Sequence, residues 1–440
     1  MSIPVQSPSL RGLSRRRFLA TAAAAFATPY VVPARVLAEE GKGPNSRICL
    51  GFIGVGGRGS DHVQTCVGRG DAQILAVCDP YKGKREGLKK LVEDRYARKK
   101  DLGAYKGCDA YSDFREVVAR PDLDAVFIAS PEHWHALHTL AAVRAGKDVY
   151  CEKAMTLTVA EGRVVCETVR RYGRVVQIGM QQRSWDIFRF ACELVRNGYI
   201  GKLQTVEVAV PGGRSLPNAP AKPAPPDIDY DLWLGPCPWK PYTDQLCSYN
   251  WYFVFDHCVG WIQSWGIHYL DVAQWGAPSL CTKPLEVEGS AVFPTDGPAN
   301  TSINWKVHVT TADGLRMTYM DESQGKHGVR FEGDKGTVFV NRGGLWTEPT
   351  SLKKVTIKPD EEHLYDARDH HQCFFDCVRS RRDPSAPVEV GHSGNVLAIV
   401  SDTATRLGHK VQWDWTTEQF VKDDAANRFL GRAMRSPWRL

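Results

Sequence analysis

A glycine-rich turn directly after an apolar run is where residue types and spacing in this chain most plainly imply chemistry. Residues 47–59 read Arg-Ile-Cys-Leu-Gly-Phe-Ile-Gly-Val-Gly-Gly-Arg-Gly, which sets Gly54, Gly56 and Gly59 at the spacing of a dinucleotide-binding loop. Gly54 permits the tight turn, Gly56 lets backbone approach a pyrophosphate, and Gly59 lets the next helix pack on the strand. The phosphates then sit on that helix's N-terminus, beside Gly57 and Arg58. A second apolar run, Ala72 to Cys78, ends in Asp79, where a carboxylate accepts hydrogen bonds from ribose hydroxyls. The ordinary alternative is a ligand-free glycine turn, with Asp79 opening a turn before Pro80. Strand, loop, helix and acid in order favour the cofactor. Asp79 points to NAD, since a carboxylate repels a 2′-phosphate, and Arg58 keeps NADP as the lesser option.

These residues need elements to hold them. Helical and extended patterns alternate from residue 47 to about 175, which predicts a parallel sheet with helices on both faces. Strands are expected at 48–54, 72–78, 123–130, 148–152 and 175–179, and helices at 59–69, 81–100, 113–119, 133–145 and 158–172. Open α/β sheets bind ligands at the carboxyl ends of their strands. Those ends carry Ser130, Pro131, His133 and His135, then Glu152 and Lys153, then Gln182 and Arg183. All but Arg183 are candidate cofactor contacts; Arg183 is a candidate substrate contact.

From about residue 180 the texture changes. A helix at 185–197 precedes alternating strands near 202–210, 284–293, 303–311, 314–320, 327–332 and 336–341, the pattern of a large open, mostly antiparallel sheet. The proline-rich stretch 211–241 is a long excursion, of the kind that is more often functional than idle. Helices return at 366–380 and 391–407. The fold class is therefore α/β, with a Rossmann dinucleotide-binding domain at 45–175 and a substrate-binding α/β domain at 176–440 whose C-terminal helices return to the core.

Residues 1–38 are a different object. Ser14-Arg15-Arg16-Arg17-Phe18-Leu19 precedes an alanine-rich stretch ending in Val36-Leu37-Ala38, which reads as a twin-arginine export signal with a small-residue cleavage site. Its loss removes five arginines and takes the formal charge from +6 to +1, so nothing recommends nucleic acid or an anionic membrane as partner of the mature chain. The chain has thirteen cysteines and no Cys-x-x-Cys pair, so no metal or disulfide framework is read; Cys237, Cys247 and Cys258 leave room for one bridge in an oxidising periplasm.

The glycine loop, Glu152-Lys153, the turn Pro131-Glu132-His133-Trp134-His135 and the segment Trp265-Gly266-Ile267-His268-Tyr269-Leu270-Asp271 together resemble the Gfo/Idh/MocA oxidoreductases. Trp233-Leu234-Gly235-Pro236-Cys237-Pro238-Trp239 and the tail from Gly391 to Trp438 resemble the exported bacterial branch of that family. The resemblance implies oxidation or reduction of a ring hydroxyl of a sugar or cyclitol with NAD or NADP, and a homo-oligomer, dimer or tetramer, assembled through the second sheet. An apolar face of that sheet would otherwise stay exposed.

By the same resemblance Lys153 matches the lysine of the Glu-Lys-Pro motif, lying between nicotinamide and substrate, and His268 matches the histidine of an Asp-x-x-x-His pair, an acid/base near neutral pH. Two positions depart from the pattern. Ala154 replaces the proline, which loosens the turn, and Ser264 replaces the aspartate, so a hydroxyl stands where a carboxylate base would be. Asp256 or His257 could supply the missing group, and Asp271 could orient the His268 imidazole. Trp251, Tyr252, Trp261 and Trp265 crowd this segment and offer faces to a sugar ring, with ordinary core packing as the alternative. His133, His135 and His138 are not read as metal ligands, because no carboxylates accompany them.

Export narrows the mechanism, because twin-arginine substrates cross folded and the periplasm offers little free NAD. The cofactor must then stay bound and be reoxidised in place. Three readings follow: a sugar oxidoreductase with recycled NAD; a redox-neutral glycosidase or lyase working by transient oxidation and elimination; and a non-catalytic sugar-binding protein, for which Ser264 and Ala154 speak.

Overall fold

The computed structural model describes residues 47–98, 105 and 107–440; the export segment at 1–38 lies outside the described residues. Six strands, β1 (Ile48–Ile53), β2 (Ala72–Cys78), β3 (Asp109–Tyr111), β4 (Ala125–Ile128), β5 (Asp148–Cys151) and β6 (Val176–Ile178), form a parallel sheet in the order β3-β2-β1-β4-β5-β6. Their residues are apolar almost without interruption because helices cover both faces. The register pairs Ile53 with Cys78 and with Ile128, Ile128 with Cys151, and Cys151 with Ile178. Five strands thus end in one row, and the residues that follow them, Gly54, Asp79, Ala129, Glu152 and Gly179, share one edge.

Helices Gly57–Val67, Lys82–Tyr96, Phe114–Val118, His135–Arg144 and Val159–Tyr172 agree with the expected elements. The last is closed by a reciprocal Thr158–Glu161 capping box and by Gly173 in the left-handed region at φ 59°. β3 was not expected from the sequence: three half-exposed residues carry no periodicity, and only pairing with β2 makes them a strand.

Nine further strands form the second sheet: β7 (Leu203–Val210), β8 (Leu285–Val292), β9 (Asn304–Thr311), β10 (Arg316–Asp321), β11 (Gly328–Gly333), β12 (Gly336–Asn341), β13 (Gly344–Glu348), β14 (Val411–Asp414) and β15 (Gln419–Phe420). Their order is β13-β12-β11-β7-β10-β9-β8-β14-β15, antiparallel throughout except where β7 meets β10. Trp305, Val307 and Val309 alternate inward on β9, and helices Asp186–Arg196, Gly266–Gly276 and Val388–Leu407 complete that core. Each buried phenylalanine in it, such as Phe188 or Phe331, contributes about 1.5–3 kcal/mol.

The opposite face corrects one expectation. Glu207, Glu286, Glu288, Lys306 and His308 occupy it, so the open face is polar and charged rather than apolar. The alternation that buries one face puts these residues outward, and an oligomer using this face would meet through charge and hydrogen bonds. The division at residue 175 also shifts, because β6 belongs to the first sheet. The chain returns to the first domain through helix His370–Ser380, whose Phe374 sets its ring 5.5 Å from that of Phe127. Ile48 to Leu440 is one compact unit. No helix among the described residues is long and apolar enough to cross a membrane.

Candidate active site

The shared strand ends open into a cavity of about 820 Å³. Gly54 turns at φ +80°, and a Cβ there would lie 2.3 Å from the Ser130 nitrogen; a Cβ on Gly59 would lie 1.9 Å from the Gly54 carbonyl oxygen. Both glycines are therefore required by close backbone approach. Gly56 and Gly57 instead face open space, with only Lys84 Nζ at 3.8 Å from a Cβ on Gly56. That is a cradle a side chain would fill, at the first turn of a helix, and it fits a pyrophosphate. The Gly54→Ala variant is expected to hold NAD about 5- to 150-fold more weakly, read as nicotinamide retained per chain after gel filtration, since strain of this kind costs about 1–3 kcal/mol.

Asp79 lies on the same wall, 5 % exposed, with its carboxylate fastened by the amides of Val55 (3.0 Å) and Tyr81 (2.9 Å). The remaining lone pairs are free for ribose hydroxyls. Burial raises its pKa from the usual carboxylate range. Gln182, also on the wall and buried, hydrogen-bonds through neither side-chain atom, leaving an amide to meet a ligand's carboxamide or hydroxyls. Glycine cradle, ribose acid and orphaned amide all fit a dinucleotide.

At the β5 end Glu152 is fully buried and takes hydrogen bonds from Arg58 (3.0 Å) and Gln181 (2.8 Å), with the His62 ring nitrogen at 2.9 Å. Despite desolvation, these partners hold its carboxyl well below the usual range. Lys153 is thereby set at the cavity wall, where Nζ donates to the Ser264 carbonyl (2.9 Å) and hydroxyl (3.0 Å). Ala154 does not loosen the turn: its amide meets Glu132 Oε1 at 3.3 Å, and its carbonyl lies 2.6 Å from His135 Nδ1. The other ring nitrogen of His135 is 2.7 Å from the Ser130 carbonyl, so this ring ties the two strand ends together.

His268 reaches the cavity from helix Gly266–Gly276, 8 % exposed, its Nδ1 buried without a hydrogen-bond partner. Burial first, then the charges of Lys153 and Arg342, push it well below the ordinary imidazole value, so it is neutral at pH 7. Trp251 and Tyr252 stack at 3.8 Å and line the cavity with Trp261 and Trp265, so these aromatics are wall on one side and pack against the core on the other. Ser130, Pro131 and Arg58 are on the wall as well.

Five proposed contacts are not. Arg183 Nε donates to both Asp271 oxygens at 2.9 Å and Nη2 to one at 2.7 Å, forming a buried ion pair beneath the site. Arg183 does not reach substrate, and Asp271 orients Arg183 rather than His268. Asp256 pairs with Lys240 at 2.5 Å. His257 is fully buried with Nδ1 3.2 Å from Cys237 Sγ, so neither residue supplies the group missing at Ser264. His133 turns away from the cavity, its Nε2 3.0 Å from the Trp233 carbonyl. All thirteen cysteines are thiols, including Cys237, Cys247 and Cys258.

Sequence reasoning missed Lys84 and Arg342 on the wall. Arg342 comes from the turn between β12 and β13 and lies 5.1 Å above the Trp265 ring. No local motif marks it; only the second sheet carries it to the cavity.

Residues 212–440, more than half the chain, match the profile described as oxidoreductase family, C-terminal alpha/beta domain, of the Gfo/Idh/MocA group. Residues 48–180 match its NAD-binding Rossmann fold. The inositol 2-dehydrogenase of Pseudomonas syringae pv. syringae is 34% identical over 158 residues, 35% of this chain and 43% of that protein. The myo-inositol 2-dehydrogenase of Thermotoga maritima is 29% identical over 182 residues, 41% and 47% respectively. The chain thus spans less than half the length of these two relatives. In fold it is similar to an aldose-aldose oxidoreductase from Caulobacter crescentus complexed with glycerol, with a TM-score of 0.59 and 19% identity over 83% of this chain and 99% of that one. Profile, sheet order and glycine cradle agree: the chain belongs to the Gfo/Idh/MocA oxidoreductase family, with an NAD-binding Rossmann domain followed by the family's C-terminal α/β domain.

Proposed function

We propose that the protein oxidises a ring hydroxyl of a sugar or cyclitol and keeps its NAD bound while a second carbonyl compound restores it. The observation that carries this reading is the convergence of Lys153 and His268, from opposite domains, on the cavity that the glycine cradle opens. When bound, NAD supplies the acceptor for the carbinol hydride. Two of the three protons of the Lys153 ammonium go to the Ser264 carbonyl and hydroxyl, which leaves one for the substrate oxygen. His268, neutral and on the cavity wall, accepts the hydroxyl proton. Ser264 is then the positioning residue for Lys153, a role that needs an acceptor and no carboxylate. Trp251, Tyr252, Trp261 and Trp265 offer apolar walls to the ring faces.

The relatives named as inositol dehydrogenases support a polyol ring as substrate class. The recycling of bound cofactor rests on the twin-arginine motif at Arg15-Arg16-Arg17 and the periplasmic destination it implies.

Absorbance near 340 nm of the purified protein, taken before and after a panel of cyclitols, aldoses and aryl glycosides without external cofactor, tests the reading. A new band of up to about one NADH per chain, discharged by a second carbonyl sugar, is the expected result. Aglycone release with no lasting band would turn the assignment to a redox-neutral glycosidase. Denatured protein that yields no nicotinamide, and no band even with added NAD, would reject catalysis.

A further inference from the structure

Behind Trp233, away from the cofactor cavity, three side chains from three separate segments meet. His133 comes from the turn after β4, Cys237 from the Trp233–Trp239 segment, and His257 from the turn that follows Phe255. One ligand-capable atom of each lies within 4.8 Å of the others. None is more than 3 % exposed.

Their polar atoms are under-used. His133 places Nε2 against the Trp233 carbonyl, which leaves Nδ1 buried with no partner. His257 places Nδ1 against Cys237 Sγ, which leaves Nε2 buried with no partner. Each imidazole thus leaves one ring nitrogen unbonded in a core, where buried polar atoms are almost always bonded, and the nitrogen beside the thiol is Nδ1 of His257. Two imidazoles and a thiol this close together are the donor set a transition metal takes.

We propose that His133, Cys237 and His257 form a site for one borderline-soft transition-metal ion, zinc by donor set, with copper as the ion of the same donor chemistry. The Cys237 thiol donates to the Asp256 carbonyl, 3.0 Å away. On binding, that proton passes to solvent and sulfur coordinates as thiolate. The Lys240–Asp256 ion pair and Arg432, which bonds the Phe255 carbonyl, flank the site, so the thiolate is needed to offset the ion's charge.

The position gives the ion a structural role. His133 follows Ser130 and Pro131 on the cofactor wall, while Cys237 and His257 bracket the segment that brings Trp251 and Tyr252 to the same cavity and continues the 211–241 excursion. A bound ion would staple the excursion to the Rossmann domain. The site is a positioning device and touches neither hydride nor proton transfer.

Metal analysis of the full chain decides this. Protein dialysed against metal-free buffer with a weak chelator, then titrated separately with Zn²⁺, Cu²⁺ and Co²⁺, is expected to take up about one ion per chain. With Co²⁺ it should show a thiolate-to-metal charge-transfer band. Cys237→Ser should lose that band, and Cys237→Ser and His257→Gln should each hold at least about tenfold less metal. Retained NAD per chain reports that a variant is folded. If a variant fails to fold, the wild-type titration still decides. Wild-type protein that takes up none of the three ions, or folded variants that keep one ion and the band, would overturn the site.

Discussion

Replacing Lys153 with methionine is expected to lower kcat/KM by about 10²- to 10⁴-fold while bound NAD is retained. The ammonium is held on the Ser264 carbonyl and hydroxyl, and in the proposed mechanism its remaining proton meets the substrate oxygen. Methionine keeps the length and apolar stem and removes every donor. The cradle at Gly54 to Gly57 and the Asp79 carboxylate are untouched, so cofactor stoichiometry should not fall. Steady-state rates on the sugar identified at 340 nm, with nicotinamide counted per chain, separate the two effects. A variant within tenfold of the parent would remove Lys153 from the mechanism.

The pH profile of the same reaction reports His268. The imidazole must be neutral to accept a proton, and burial with the Lys153 and Arg342 charges holds its pKa well below 6.5. Activity should therefore persist through neutral pH and fall only as the solution is acidified well past that value. Removing the Arg342 charge by Arg342→Gln should move this acid limb upward, since a cation that disfavours imidazolium is gone.

Asp271→Ala should destabilise the fold by about 3–5 kcal/mol, because it strands the Arg183 guanidinium in the interior without its counter-charge. Three Arg183–Asp271 hydrogen bonds of 2.7–2.9 Å join the segment after β6 to helix Gly266–Gly276. The Asp271 side chain is 1 % exposed and that of Arg183 10 %, so water cannot substitute for the partner. The double replacement Arg183→Met with Asp271→Leu should recover most of that loss, since exchanging a whole buried pair for apolar groups is often neutral. Denaturant unfolding of the parent, the single and the double variants measures this as a cycle. Equal loss in single and double variants would mean that volume, not charge, sets the cost. Because His268 lies one turn before Asp271 on the same helix, the pair also fixes the platform from which the imidazole enters the cavity.

The cofactor half of the site was legible because its determinants are local. A left-handed turn at Gly54, a carboxylate closing β2 and the alternation of strand and helix are properties of neighbouring residues, and they survive in the register that lines the strand ends along one edge. Lys153 and Glu152 were likewise placed by a strand end. The aromatic wall was suggested by composition, though only the fold brought Trp251 and Tyr252 to the cavity.

The substrate half depends on contacts between distant residues. Arg183 stood beside the strand-six end and read as a substrate ligand, yet its partner 88 residues away turned it inward. Asp256 and His257 looked available to replace the carboxylate missing at Ser264 until Lys240 and Cys237 claimed them. Arg342 and the His133–Cys237–His257 group carry no spacing to detect, since turns and sheet pairing set their positions. By itself, then, the sequence determined the cofactor loop and the alternation of strand and helix around it, and put Lys153 and His268 forward as candidates. The tertiary structure alone decided which polar side chains remain free to act, because a buried charge takes whichever partner the packing brings within hydrogen-bond reach.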